Sequence, residues 1–247
     1  LSYINTLLGD ERNIVTDIAG TTRDSIDTHY KKFGREYIFI DTAGLRKKGK
    51  VHEDLEYYSV MRAIRAIERA DVCTLIIDAT QGIGGQDLNI FHLVQKNHKG
   101  VVVLVNKWDI IPEREKKYQA MRQEILNKFA PFTDLPLVFT SMENKQRVYK
   151  TLDWVDQVNE NRKRRIRTNK LNEVMLPEIE KNPPPALKGR YVRIKYVTQL
   201  PTPYPAFAFF VNRPQYIKDP YRQFLENKLR KHFEFTGVPI SVFFRQK

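Results

Sequence analysis

The sequence predicts an α/β fold, with a mostly parallel sheet flanked by helices, followed by a small α+β domain. Short apolar strands alternate with helices of about 10–17 residues up to about residue 160, which is typical of βαβ units. Polar residues follow several of these strands. After residue 160 the order of elements changes and basic residues accumulate. These three observations predict both the fold class and a second, smaller domain.

Each element of the first region has its own signal. Apolar residues at helical spacing predict helices, and short alternating or continuous apolar runs predict strands. The predicted order is a helix over 1–9, a hairpin over 28–41, a helix over 54–70, a strand over 71–78, a helix over 86–96, a strand over 101–105, a helix over 114–129, a strand over 136–141 and a helix over 145–160.

The second region reads as α-β-β-α-β and has an antiparallel component. A basic connector over 161–167 leads into it, and the run of prolines that begins at Pro183 is a stiff break. The predicted elements are a helix over 168–181, strands over 190–197 and 206–211, a helix over 220–233 and a strand over 239–244. We therefore expect domains over 1–160 and 168–247.

The composition indicates a soluble globular protein. Hydrophobic residues make up 41% and charged residues 29%, and no apolar run approaches the length of a membrane helix. We expect no membrane association and no export signal. A single cysteine, Cys73, suits a reducing cytoplasm, and five scattered histidines predict no structural zinc site.

The positive charge lies in the last third of the chain. Residues 161–247 hold 19 basic and 6 acidic side chains, a net of +13 that equals the net charge of the whole chain. This segregation predicts a polyanionic partner. The alternative for the connector is a solvated helix end. We expect phosphate contacts from its five basic residues, Arg162, Lys163, Arg164, Arg165 and Arg167.

The strand over 101–105 ends in a polar cluster suited to guanine. The carboxylate of Asp109 can accept the ring N–H and the exocyclic amino group of guanine, with Asn106 and Lys107 bracing the loop. Adenine lacks these donors, and paired hydrogen bonds of this kind reject the wrong base by roughly 10⁴-fold. Ser141 and Met142, at the end of the next strand, suit a backbone contact to the guanine carbonyl. The alternative is an ordinary polar turn.

Two upstream segments suit phosphate and Mg²⁺. Residues 16–24 are rich in hydroxyls, and a Thr from such a loop can complete Mg²⁺ coordination when a γ-phosphate is present. An acidic residue at a strand end can hold Mg²⁺ through water, and a glycine lets a backbone N–H approach a phosphate. Those features occur together in Asp41, Thr42, Ala43, Gly44 and Leu45. Four segments in this order predict guanine-nucleotide chemistry.

With these motifs the sequence resembles the Der (EngA) GTPases, a family of the P-loop GTPase class. The resemblance covers essentially the whole chain. It implies a second GTPase domain plus a C-terminal KH-like domain, an upstream first GTPase domain, and action in assembly of the large ribosomal subunit on its rRNA. The carrying motifs are DIAGTTRD (17–24), DTAGLRKKGKV (41–51), EYYSVMRAIRAIERADV (56–72), VNKWD (105–109), LNEVMLP, PPPALKG and FRQK.

The sequence departs from the family at two places. No GxxxxGK[ST] motif occurs, and Leu1 stands where the family has the Mg²⁺-binding Ser of the phosphate loop. Either the loop is absent from the protein or it precedes Leu1, and we expect the second. Without it the chain would hydrolyse GTP poorly or not at all. The second departure is SMEN at 141–144, where the family usually has Ser-Ala-Leu/Lys.

The resemblance also implies how the phosphates and metals are held. Leu45 follows DTAG, where many GTPases place a Gln that orients the attacking water. The family substitutes K⁺, which here would contact the carbonyls of Thr16 and Ile18 and the side chain of Thr21, while Thr22 and, through water, Asp41 would bind Mg²⁺. The alternative is that Leu45 is a hydrophobic lid and an outside protein supplies catalysis.

The C-terminal domain lacks the GXXG loop with which KH domains clamp nucleic acids, since Gly189 and Gly237 are its only glycines. Its strand aromatics are interpreted mostly as core residues: Tyr191, Tyr196, Phe207, Phe209 and Phe243. The alternative function is a nucleotide-independent RNA-binding module with an inactive GTPase scaffold. Era-type GTPases, whose KH domain keeps GXXG, and tRNA-modifying GTPases, which carry a helical domain and a C-terminal cysteine, fit less well.

Overall fold

A computed structural model of the chain describes residues 2–9, 27–32, 34–40, 61, 63–186 and 189–246. The chain divides into two compact units. The first comprises Leu1–Thr133 and Leu137–Val155, and the second comprises Asp134–Pro136 and Asp156–Lys247. None of the described helices has the length and apolarity needed to cross a membrane.

The helices and strands follow the predicted order. They are α1 (Ser2–Leu8), β1 (Asp27–Lys32), β2 (Arg35–Ile40), α2 (described over 63–69), β3 (Val72–Asp78), α3 (Gly85–Lys96), β4 (Gly100–Asn106), α4 (Arg114–Phe129), β5 (Leu137–Phe139), α5 (Lys150–Lys163), α6 (Thr168–Lys181), β6 (Ile194–Gln199), β7 (Ala206–Val211), α7 (Asp219–His232) and β8 (Ser241–Gln246), with short 3-10 helices over Trp108–Ile110 and Pro214–Tyr216.

A parallel sheet in the order β3-β4-β5 forms the centre of the first unit, which confirms the predicted α/β class. The middle strand β4 is apolar at every position from Val101 to Val105, and these residues are at most 1% exposed. A parallel strand covered on both faces needs such a continuous apolar run. Beside the sheet, Phe91 of α3 stacks on Phe129 of α4, with ring centroids 4.0 Å apart.

An antiparallel hairpin of β1 and β2 also belongs to the first unit, as predicted. Asp27 pairs with Ile40 at its open end. Gly34 precedes β2 with φ of 74°, a backbone conformation that glycine adopts at little cost. The hairpin partner proposed for the strand over 36–41 is therefore confirmed.

The second unit is an α-β-β-α-β fold around a three-stranded sheet in the order β6-β7-β8. Strands β6 and β7 are antiparallel, whereas β7 and β8 are parallel. Helices α6 and α7 contribute apolar side chains to one core with the sheet. The fully buried members of that core are Leu171, Met175, Val197, Phe207, Phe209, Val211, Leu225, Leu229 and Phe235.

Two predicted elements begin four or more residues later than the sequence indicated. Helix α5 starts at Lys150 instead of 145, because the preceding residues form a turn in which Lys145 and Arg147 have positive φ. Strand β6 starts at Ile194 instead of 190. The helix α5 also includes the first three residues of the predicted connector 161–167.

Of the five strand aromatics interpreted mostly as core residues, two are fully buried, Tyr196 is half-buried and two are exposed. Phe207 and Phe209 are fully buried, but Tyr191 is 78% and Phe243 is 44% exposed. Tyr191 precedes β6, so it does not occupy the strand position that the prediction assumed. Phe243 lies in β8 between Val242 and Phe244, both of which contact the core, so alternation along the strand turns it outwards.

Candidate nucleotide-binding site

The candidate site lies where the parallel strands of the first unit end. Ligands of such sheets bind at the carboxyl ends of the strands. The segments that leave these ends are joined by backbone hydrogen bonds. The N–H of Ala79 donates to the carbonyl of Asn106 (2.9 Å), that of Thr140 to Val105 (2.8 Å), and that of Trp108 to Thr140 (3.1 Å). The ends of β3, β4 and β5 therefore form one connected set of loops.

Asn106 ties the loop after β4 to the loop after β5. Its Oδ1 accepts a hydrogen bond from the N–H of Met142 at 3.1 Å. The carbonyl of Met142 lies 3.4 Å from the Thr6 hydroxyl, which donates to it. Met142, which stands where the Der (EngA) GTPases that the sequence resembles usually have a small residue, is 7% exposed. The longer side chain is thus accommodated in the interior, and the backbone of the loop is held from two sides.

Lys107 is fixed by its backbone and by an ion pair. Its φ of 62° and ψ of 33° place it in the left-handed region, which is uncommon for residues other than glycine. Its Nζ lies 2.7 Å from Oδ2 of Asp78 at the end of β3. Strained conformations of this kind persist where surrounding interactions determine them, and they cluster at functional sites.

Asp78 is the charged group under the loop after β4. Its side chain is 3% exposed, and its Oδ1 accepts hydrogen bonds from the backbone N–H (3.0 Å) and the hydroxyl (2.7 Å) of Thr80. Burial alone would raise the pKa of this carboxyl. The hydrogen bonds from Lys107 and Thr80 outweigh burial and lower the pKa of Asp78 to about 2. Asp78 therefore stays ionised and attracts Lys107.

Asp109 lies one turn further along the loop, in the 3-10 helix Trp108–Ile110. Trp108 anchors that helix, since it is 5% exposed and meets the ring of Phe139 edge-on at 4.6 Å. The Asp109 carboxylate is half-buried, and its Oδ2 accepts a hydrogen bond from Nδ2 of Asn144 at 3.2 Å. Because each carboxylate oxygen can accept two hydrogen bonds, Asp109 keeps capacity for the N–H groups of a base.

The turn after β5 carries Asn144 to Asp109. Ser141 is fully buried and forms an isolated β-bridge with Gln146, whose N–H donates to the Ser141 carbonyl at 2.8 Å. The hydroxyl of Ser141 accepts a hydrogen bond from the N–H of Asn144 at 3.1 Å. Ser141 thus fixes the turn.

The structure brings the predicted guanine-binding residues into this one set of loops. Sequence reasoning missed two members, the Asp78 partner of Lys107 and the Asn144 partner of Asp109. Asp78 at a strand end, with Thr80 two residues later, was the available signal for the first. The residues predicted to hold phosphates, Mg²⁺ and K⁺ lie outside the described residues: Thr16, Ile18, Thr21, Thr22, Asp41, Thr42, Ala43, Gly44 and Leu45.

Among the predicted RNA-contact residues, three arginines bond to the second unit itself. Arg162 is 9% exposed and donates to the carbonyl of Pro203 (3.2 Å). Arg164 donates to the backbone and the carboxylate of Glu234 (3.1 and 3.2 Å). Arg165 donates to the carbonyls of Leu200 and Thr202.

Arg165 is nevertheless exposed, as are Lys163 and Arg167. We therefore leave buried Arg162 out of the RNA contacts proposed below.

Two family models match the chain. Residues 2–107 match the family described as 50S ribosome-binding GTPase. Residues 165–245 match the KH-domain-like family of EngA bacterial GTPase enzymes, C-terminal. The two matches fall in the order that the sequence predicted.

Curated relatives match over the full chain. The chain is 59% identical to GTPase Der of Christiangramia forsetii and 57% identical to GTPase Der of Porphyromonas gingivalis. It spans 57% and 56% of the length of these relatives.

Solved structures with the same fold have low sequence identity to the chain. Era in complex with MgGDPNP and nucleotides 1506–1542 of 16S ribosomal RNA has 19% identity and a TM-score of 0.50, with 100% of this chain and 88% of that chain covered. Aquifex aeolicus Era Y63A bound to GDP.AlF4- has 20% identity, the same TM-score and the same coverage. At this identity the likeness shows the fold alone.

Proposed function

We propose that the chain, as a member of the Der (EngA) family of GTPases, binds guanine nucleotides, hydrolyses GTP and acts in assembly of the large ribosomal subunit. It spans 57% of the length of GTPase Der from Christiangramia forsetii. The observation that carries the nucleotide part is the braced pair of loops that holds Asn106, Lys107 and Asp109 at the ends of the parallel strands.

Guanine recognition follows from the chemistry of Asp109. Its carboxylate accepts the ring N–H and the exocyclic amino group of guanine, whereas adenine would present a lone pair to the same oxygens. Asn144 donates a hydrogen bond to Oδ2 of this carboxylate, and each carboxylate oxygen can accept two hydrogen bonds. The Met142 N–H is the donor proposed for the guanine carbonyl, and it would share or exchange its present bond to Asn106.

The phosphate end of the proposed site comprises the segments around Thr22 and Asp41. Mg²⁺ held there would neutralise charge on the transferring phosphoryl group. We propose further that K⁺, held at Thr16, Ile18 and Thr21, supplies positive charge where Leu45 cannot orient water. A comparison of GTP hydrolysis in KCl and NaCl tests this. Equal rates in both salts would leave catalysis to an outside protein.

The proposed macromolecular partner is rRNA of the large ribosomal subunit. The net charge of +13 over residues 161–247 supports this proposal, with Lys163, Arg164, Arg165 and Arg167 as phosphate contacts. The chain spans 57% of the length of the relative from Christiangramia forsetii, which supports the proposal of an upstream first GTPase domain in the full-length protein. A cytoplasmic location also stays a prediction.

Replacement of Asp109 by Asn tests the nucleotide proposal. An amide presents one donor where the carboxylate had an acceptor, and xanthine presents a carbonyl at the position of the guanine amino group. We expect Asp109→Asn to lose GDP affinity by about 100-fold or more and to prefer XDP. Competition of GDP, XDP and ADP for a fluorescent nucleotide measures this.

The matched control is Glu115→Gln, which removes one carboxylate from the exposed first turn of α4 and should leave GDP binding unchanged. An Asp109→Asn variant that still prefers GDP would remove Asp109 from its assigned role. If the unaltered protein binds RNA but none of the nucleotides, the alternative of a nucleotide-independent RNA-binding module holds instead.

A further inference from the structure

Helices α6 and α7 pack on one face of the sheet of the second unit. Val197, Phe209 and Phe244 pair across β6, β7 and β8, and all three contact the core formed with α6 and α7. Successive residues of a strand turn to opposite faces. The residues next to these three therefore lie on the other side of the sheet.

That other side carries aromatic rings beside a cation. Tyr196 stacks on Phe210 of the neighbouring strand, with centroids 4.4 Å apart and an interplanar angle of 13°. Phe210 in turn pairs with Arg245 of β8. Phe243 lies two residues before Arg245 and is 44% exposed. We call Tyr196, Phe210, Phe243 and Arg245 the aromatic face.

The four side chains are accessible to a partner to different degrees. Tyr196 and Phe210 are half-buried, whereas Phe243 and Arg245 are exposed. The exposed ring of Phe243 contributes little to the core, because the core residues of β8 are Val242 and Phe244. The exposed ring and the exposed guanidinium lie on the same edge strand, so one ligand can reach both.

We propose that the aromatic face binds unpaired RNA by base stacking, with Arg245 beside a phosphate. This deepens the rRNA association proposed above and rests on it. Unpaired bases stack on aromatic rings and on guanidinium planes, and a basic surface holds the backbone. The net charge of +13 over residues 161–247 favours a polyanion over an apolar protein partner for this face.

The aromatic face is distinct from the groove by which KH domains bind nucleic acid. That groove depends on a GXXG loop, which the sequence over 168–247 lacks. A sheet surface with stacked rings supplies a different mode of single-strand binding, in which each ring holds one base with little sequence preference. Stacking on the aromatic face would thus replace binding in the GXXG groove within this unit.

The test is equilibrium binding of an unstructured, fluorescein-labelled RNA oligonucleotide to the whole chain over a series of KCl concentrations. Phe243→Ala removes the most exposed ring of the aromatic face. We expect it to weaken binding by about 5- to 100-fold, because stacking on one ring accounts for that range, and to leave the salt slope unchanged. Arg245→Gln should reduce the magnitude of the slope by about 0.7.

Three controls separate stacking from charge and from misfolding. An abasic oligonucleotide of the same length has the phosphates but no bases, so Phe243→Ala should not weaken its binding. Phe243→Trp keeps a ring, should retain affinity, and should show fluorescence quenching on addition of RNA. Tyr191→Ala removes a ring that is 78% exposed but lies outside the three strands. The Tyr191→Ala protein should therefore bind RNA normally.

The proposal is overturned if Phe243→Ala binds the RNA as the unaltered chain does, or if it loses RNA and abasic oligonucleotide equally. If Phe243→Ala binds RNA normally while variants of Lys163 and Arg167 lose RNA affinity, the proposed rRNA association stands. The aromatic face would then bind a protein partner instead of RNA. Absence of any RNA binding by the unaltered chain would contradict both proposals.

Discussion

At the residue scale, the ion pair of Lys107 and Asp78 explains why a lysine occupies a left-handed backbone position. Strain of this kind costs about 1–3 kcal/mol. Lys107 has φ of 62°, and its Nζ is 2.7 Å from a carboxylate that is 3% exposed. The ion pair offsets part of the strain and orients the loop that ends in Asp109.

We predict that Asp78→Asn destabilises the first unit by about 1–2 kcal/mol at neutral pH. The figure is modest because the Lys107 side chain is 52% exposed and solvent screens the pair. The pKa of Asp78 is lowered from 3.8 to about 2 in the folded protein. Its stabilising effect is therefore complete above pH 3.8 and is lost as the pH falls towards 2.

Urea unfolding followed by tryptophan fluorescence over pH 2.5–7 measures this, and the difference between the two proteins should shrink below about pH 4. Glu113→Gln is the matched control, since its pair with Lys116 (3.1 Å) is exposed on both sides and should contribute almost nothing. A pH-independent difference would mean that the Asp78 charge does not stabilise the loop.

The sequence could predict Asn106, Lys107, Asp109 and Ser141 as site residues, because their types and their positions after apolar strands are visible in the chain. It could not predict that Asn144 reaches Asp109. That contact depends on the bridge between Ser141 and Gln146 and on positive φ values nearby. Turn closure of this kind arises from tertiary structure and leaves no periodic signal.

At the element scale, helix α6 protects the free edge of strand β6. The Asn172 side chain pairs with the backbone of Val197 as a neighbouring strand would. Its Oδ1 accepts from the Val197 N–H and its Nδ2 donates to the Val197 carbonyl, both at 2.8 Å. Exposed strand edges are sites of aggregation, and a covering element prevents this.

We predict that Asn172→Leu lowers the free energy of unfolding of the second unit by about 2–3 kcal/mol, because it leaves two backbone groups of Val197 without their partners. It should also increase aggregation, measured by light scattering at equal protein concentration. Asn227→Leu is the control, since Asn227 lies on the exposed side of α7 and accepts a hydrogen bond from Gln223 of the same helix. Equal stability of the two variants would contradict the role of α6 as an edge cover.

The order and type of the elements could be predicted because periodicity and turn residues are local signals. Helix α4 over Arg114–Phe129 and strand β7 over Ala206–Val211 begin and end where the sequence indicated. The errors lie where tertiary contacts decide. Strand β6 begins only at Ile194, although the residues from Arg190 onwards have the composition of a strand. Just before Ile194, the backbone of Arg193 forms two hydrogen bonds with Asn212. The Arg193 N–H donates to Oδ1 of Asn212 (2.9 Å), and the Asn212 N–H donates to the Arg193 carbonyl.

At the scale of the whole molecule, charge and fold divide at nearly the same place. Residues 161–247 hold the whole excess of +13, and the second compact unit begins its main segment at Asp156. A sequence can predict such a division because charge counts need no structure. It cannot predict which cations remain available, since Arg162 is buried whereas Lys163 beside it is exposed.

The salt dependence of RNA binding should therefore depend on the second unit alone. If about six cations meet phosphates of single-stranded RNA, log K should fall with log salt at a slope of about −4. Replacing exposed Lys163 and Arg167 by Gln should reduce the magnitude of that slope by about 0.7 each, because each variant releases fewer counterions. Replacing Arg114 and Lys117, equally exposed on α4 of the first unit, should leave it unchanged. A slope near −1 for the unaltered chain, or an equal effect of both pairs of substitutions, would show that the segregated charge does not bind RNA phosphates.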